Sequence, residues 1–73
     1  MEDGMTTLRT YTGPEGGVAL RRRDHDGMMV THQFDPARPD GGYFWGHYFR
    51  AGEEIAARVD FTERVERLTG GAA

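Results

Sequence analysis

The 73-residue chain has no cysteine, no lysine, no serine and no long apolar run. Without cysteine there is no disulfide and no thiolate metal site to reinforce a small core, and no cysteine nucleophile. With serine missing too, threonine would have to serve as the hydroxyl nucleophile. The missing lysine means that all nine basic residues are arginine. A GC-rich coding source accounts for this as well as an interface role does, although arginine's planar fork pairs with carboxylates and stacks on rings. No apolar stretch approaches the roughly 20 residues of a bilayer-spanning helix. The N-terminal Met1-Glu2-Asp3-Gly4-Met5 has no basic region followed by an apolar one, so a cytoplasmic location without membrane contact is expected. Charge of one sign is also scarce. A net charge of −3 argues against a general nucleic-acid binder, which normally carries a basic excess, but leaves room for a local basic patch.

At this length the chain makes one domain, near the size at which a single core only just offsets chain entropy, so stability must come from packing or association. What the chain does have is aromatic residues in one place. Five of its eight aromatics fall within Gly42-Tyr43-Phe44-Trp45-Gly46-His47-Tyr48-Phe49. The run is short and bounded by turn formers, which predicts a β-strand. Strict alternation puts Tyr43, Trp45, His47 and Phe49 on one face and Phe44, Gly46 and Tyr48 on the other. Such a strand, apolar on both sides, belongs in a sheet covered on both faces or in a sheet that reserves one face for a partner.

Ahead of it, Met1–Gly4 reads as a tail and Met5–Thr12 as a first strand with imperfect alternation. The turn Gly13-Pro14-Glu15-Gly16-Gly17 leads to a second strand, Val18–Arg23, with Val18, Leu20 and Arg22 opposite Ala19, Arg21 and Arg23. Asp24-His25-Asp26-Gly27 is a tight hairpin signal, with Gly27 at the left-handed position. The third strand, Met28–Phe34, offers Met28, Val30, His32 and Phe34 as its core face against Met29, Thr31 and Gln33. Asp35–Gly41 holds two prolines and two terminal turn formers, and connects to the aromatic strand as a loop.

From about Gly52 the period becomes helical. Glu53 and Glu54 fall in the first turn, Arg64 and Arg67 near the other end, and Gly70-Gly71 supplies the stop. Ala57, Phe61, Val65 and Leu68 form a stripe, with Ile55 and Val59 read as its extension. The expected architecture is α+β: a four-stranded antiparallel meander of order 1-2-3-4 over residues 5–49, one C-terminal helix over 52–69 packed on one face, and a short tail over 70–73.

Several groupings invite a function. Tyr43, Trp45, Tyr48 and Phe44 would form an interface if the helix leaves their face open, or plain core and cross-strand pairs if it does not. Arg21 and Arg23 share a strand face, expected to be that of Tyr48 and Phe44, a layout that suits single-stranded nucleic acid or an acidic protein surface; on an outer strand the same charges simply keep an edge solvated. His32 and His47 would meet at a metal only in one register, and further ligands are wanting, so no cofactor is expected. No phosphate-binding loop or enclosed acid–base pair points to an enzyme. On the helix, Asp60, Glu63 and Glu66 alternate with Arg58, Arg64 and Arg67 as intrahelical pairs, which leaves Glu53 and Glu54 unpaired as conceivable phosphate mimics.

The reading that these features favour is a non-enzymatic protein-binding module for a larger protein. Tyr43, Trp45 and Tyr48 would serve as anchors, Arg21, Arg23 and Arg38 as charged contacts, and Glu53 and Glu54 as acidic ones. Its format resembles that of small phage and mobile-element inhibitors of host defence complexes, such as anti-CRISPR proteins, a likeness of size and layout only. A binder of single-stranded nucleic acid and a self-associating homodimer are the alternatives.

Overall fold

The computed structural model describes residues 4–38 and 40–70. Four strands, β1 (Met5–Gly13), β2 (Gly16–Arg23), β3 (Met29–Phe34) and β4 (Tyr43–Phe49), precede one helix, α1 (Glu54–Leu68). They form a single antiparallel sheet of order β1-β2-β3-β4, the expected meander, and α1 lies across one face of it. The expected terminal tails fall largely at residues 1–3 and 71–73, outside the described residues, as do Gly71 of the helix stop and Pro39 of the long loop.

Turn chemistry sets the connections. Gly13 pairs with Gly16, so Pro14-Glu15 closes the first hairpin, where proline's fixed φ suits the first turn position. In the second hairpin Gly27 sits at φ 76°, and its N–H donates to the Arg23 carbonyl at 2.8 Å. The helix starts two residues later than expected. Gly52, at φ 94°, turns the chain before it, and the Glu53 carboxylate accepts the Arg50 N–H at 2.9 Å. At the far end the Thr69 N–H reaches the Val65 carbonyl at 2.9 Å, and Gly70 follows at φ 91°.

Between helix and sheet lie Val18, Leu20, Met29, Ala57 and Phe61, all buried, with Leu8, Tyr11, Phe49, Val65 and Leu68 packed around them. Each large side chain here contributes about 1.5–3 kcal/mol by leaving water. The register makes Val18, Leu20 and Arg22 neighbours of Gln33, Thr31 and Met29, so the helix-covered face of β3 is the Met29-Thr31-Gln33 set and not the expected Met28-Val30-His32-Phe34 set. Two polar residues can occupy that face because α1 satisfies them. The Thr31 hydroxyl donates to the Asp60 carboxylate, and Arg64 binds both Asp60, at 2.9 Å, and the Gln33 amide oxygen, at 3.3 Å.

Burial alone would raise the Asp60 pKa. The Thr31 and Arg64 hydrogen bonds and the nearby Arg64 and His47 charges outweigh it, and the net shift is downward.

Ile55 and Val59 do not extend the helix stripe. They lie two residues either side of Ala57, about 200° around the helix from it, and stand 81% and 50% exposed.

Candidate binding surface

Two β-bulges decide which side chains reach the open face of the sheet. In β1 the register advances from Thr7↔Arg21 to Arg9↔Leu20, so Leu8 is the extra residue. This break is why the alternation of β1 looks imperfect in the sequence: Leu8 packs on the core while the Arg9 guanidinium lies 5.5 Å from the Phe61 ring centroid.

In β4 the register runs from Thr31↔His47 to Gln33↔Phe44, three residues against two. Trp45, in the middle, takes φ 58°, the left-handed region that a non-glycine residue seldom adopts. The bulge splits the strand's alternation. Phe44, His47 and Phe49 now share the helix side, whereas Tyr43, Gly46 and Tyr48 share the open side. Strict alternation had grouped Tyr43 with Phe49 and Phe44 with Tyr48, and the inserted residue reverses both assignments.

Of the β4 aromatics only Phe49 joins the core periphery. Tyr43, Phe44, Trp45 and Tyr48 remain 47%, 40%, 71% and 58% exposed on the outermost strand.

Tyr43 is held from several sides. Its ring stacks on His32 at 3.9 Å with planes 8° apart, meets Phe34 edge-on at 5.8 Å, and carries the Arg21 guanidinium 5.0 Å from its centroid. Phe34 in turn crosses Gly17, its partner on β2, so closely that a Cβ there would lie 2.3 Å from the ring. Beneath Tyr43, burial and then the positive charges of Arg21 and Arg64 lower the His32 pKa to about 4, so the imidazole is neutral at ordinary pH. Its Nε2 is buried without a hydrogen-bond partner among the described residues.

Arg21 and Arg23 lie on the open face with Tyr43 and Tyr48, not with Phe44. Arg23 is engaged in its own hairpin, 2.7 Å from the Asp26 carboxylate, and that bond, followed by the Met28 N–H, holds Asp26 well below the usual carboxylate range. Arg38 is exposed in the loop after β3.

Glu53 and Glu54 stand at the start of α1, and of the two only Glu54 departs from the unpaired state that the sequence suggests, Glu53 having no ion pair among the described residues. Glu54 pairs with Arg58 at 2.7 Å, and Glu53 accepts the Arg50 N–H.

His32 and His47 sit on opposite faces of the sheet, His47 3.8 Å from Asp60 on the helix side, which removes the arrangement in which they share a metal. Among the described residues no three of His, Asp and Glu gather as ligands. Nor, among those residues, is any helix long and apolar enough to cross a membrane.

Sequence reasoning overlooked the support beneath Tyr43. Apolar spacing puts His32 and Phe34 on the core face, whereas in the fold Thr31 and Gln33 take that face through their bonds to Asp60 and Arg64. Compared with family models, with curated proteins and with solved structures, the chain matches none of them.

Proposed function

We propose that this domain is a non-enzymatic protein-binding module that docks a larger protein on its open sheet face and β4 edge. The observation that carries the reading is the display of Tyr43, Trp45 and Tyr48 on an outer strand whose bulge holds Trp45 in the left-handed region. A conformation of that kind costs about 1–3 kcal/mol and tends to persist at sites where it aims a functional side chain. Tyrosine and tryptophan are the residues that most often dominate binding energy, and a pre-stacked Tyr43 loses little further freedom on contact. Arg21 lends a charged element to the same surface.

The narrower version, an inhibitor of a host defence complex encoded by a phage or mobile element, is supported by format alone: a small, cysteine-free α+β domain with an exposed aromatic patch.

Site-specific photocrosslinking tests the reading. A photoreactive residue at position 50, exposed just after β4 beside the anchors, should capture a partner that one at position 58, on the helix, does not. The purified partner should then bind the wild-type domain and lose at least about 2 kcal/mol of affinity with Trp45→Ala or Tyr48→Ala. Capture only from position 58, or unchanged affinity, would overturn it.

The nucleic-acid alternative draws on Arg21 beside Tyr43. Against it, the Tyr43 ring already stacks on His32 and carries that guanidinium, so less of it is open to a base.

A further inference from the structure

At one end of the sheet, where the β1–β2 turn, the start of the β3–β4 loop and the last turn of α1 converge, lies an open cleft of about 560 Å³. Its size is within the range of small-molecule sites and leaves ample room for a long side chain. Phe34, Phe44, Trp45 and Leu68 form its apolar lining, with the Phe44 and Trp45 rings edge-to-face at 5.0 Å. Two acidic residues, Glu15 and Asp35, are also among its lining residues.

Both acids hold neutral hydrogen bonds: Glu15 accepts the Tyr11 hydroxyl at 2.8 Å and Asp35 the Ala37 N–H at 3.0 Å. Neither is in an ion pair among the described residues, where arginine pairs only with Asp26, Glu54 and Asp60. Arg64, which reaches Gln33 at the cleft wall, is 2.9 Å from Asp60 and so already charge-compensated. Arg38, the arginine nearest Asp35 in sequence, is exposed and does not line the cleft.

Aromatic rings beside uncompensated carboxylates are the combination that attracts an organic cation: ring faces draw it by their quadrupole and the carboxylate fixes it by a charge-assisted hydrogen bond. We propose that this cleft receives an arginine side chain of the bound protein. Arginine suits it better than lysine because a planar guanidinium can lie on a ring while its fork engages a carboxylate. The proposal deepens the protein-binding reading and rests on it, since Trp45 belongs both to the exposed edge and to the cleft.

The test needs no partner. N-acetyl-arginine amide is titrated into the ¹⁵N-labelled full chain, with the neutral isostere N-acetyl-citrulline amide in parallel. Saturable shifts are expected at the Trp45 indole N–H, the Gln33 side-chain amide and the Gly16 N–H. Citrulline should bind at least about tenfold more weakly, the scale of one charge-assisted contact. Glu15→Gln with Asp35→Asn keeps both hydrogen-bond acceptors, so the fold is retained, and should weaken arginine binding by a similar factor.

Equal binding of citrulline, absence of saturation, or shifts confined to Tyr43 and Tyr48 would overturn the cleft as a cation site. Those results would leave the protein-binding reading standing if the photocrosslinked partner still requires Tyr48. Loss of that requirement would instead remove the reading on which the proposal rests.

Discussion

Trp45 at φ 58° provides a sharp physical test of the β4 bulge, because glycine and alanine should exchange rank there. In an ordinary strand glycine is about 0.5–1 kcal/mol less stable than alanine, since it loses more chain entropy on folding. In the left-handed region a Cβ costs about 1–2 kcal/mol, which glycine avoids. The difference leaves Trp45→Gly more stable than Trp45→Ala by about 0.75 kcal/mol at the centres of the two ranges and by up to about 1.5. Both variants lose the indole and its contact with Phe44, so those terms cancel. An unfolding entropy of about 2.1 cal/mol/K per residue gives about 0.15 kcal/mol/K for 73 residues, and the expected separation in Tm is therefore about 5 °C and at most about 10 °C. Tyr48, on the same strand beyond the bulge, is the control: Tyr48→Gly should melt below Tyr48→Ala. Differential scanning calorimetry of the four variants reads both signs. If Trp45→Gly melts below Trp45→Ala, Trp45 does not occupy the left-handed region and the bulge is misplaced.

Further predictions follow from the other face of the sheet and from its titrating groups. Phe61→Ala should destabilise by about 3–5 kcal/mol, since the ring is 5% exposed at the centre of the core, and urea titration should find most of such a small domain unfolded. Thr31→Val keeps the shape but removes the hydroxyl that donates to the Asp60 carboxylate, and should cost about 1.5–3 kcal/mol by the same titration.

The lowered Asp60 pKa means that its stabilisation is fully present above the unfolded value of 3.8 and is lost as pH falls through the folded one. Asp60→Asn should flatten the acid limb of the stability–pH curve. For His32, protonation favours the unfolded chain, so stability should decline as pH drops from 6.5 toward about 4. His32→Phe should remove that slope, and an imidazole resonance that titrates near 6.5 would contradict the burial beneath Tyr43.

The meander, its turns and the C-terminal helix are legible in the sequence because Gly, Pro and Asp mark every reversal and the apolar spacing changes period near Gly52. Face assignments are not, and each failure has a physical source. On β3 the apolar residues Val30 and Phe34 outweigh Thr31 and Gln33 in any hydrophobic count, yet the helix satisfies the polar pair with Asp60 and Arg64 and so covers their face. On β4 one extra residue reverses the alternation, and the only local sign of it is Gly46 beside Trp45. On α1 Ile55 and Val59 are apolar but lie opposite Ala57, where no element among the described residues covers them. The candidate surface is therefore legible as a strand, while the partition of its rings between the two faces of the sheet depends on a bulge that the sequence hardly marks.

Sedimentation velocity over a range of concentrations, with and without a short single-stranded oligonucleotide, tests most directly whether the exposed β4 surface is free for a foreign protein. The account predicts an 8.2 kDa monomer throughout, with no comigrating oligonucleotide. A homodimer at every concentration would mean that the aromatic edge is used in self-contact, and comigration would assign the surface to nucleic acid; either result contradicts the account.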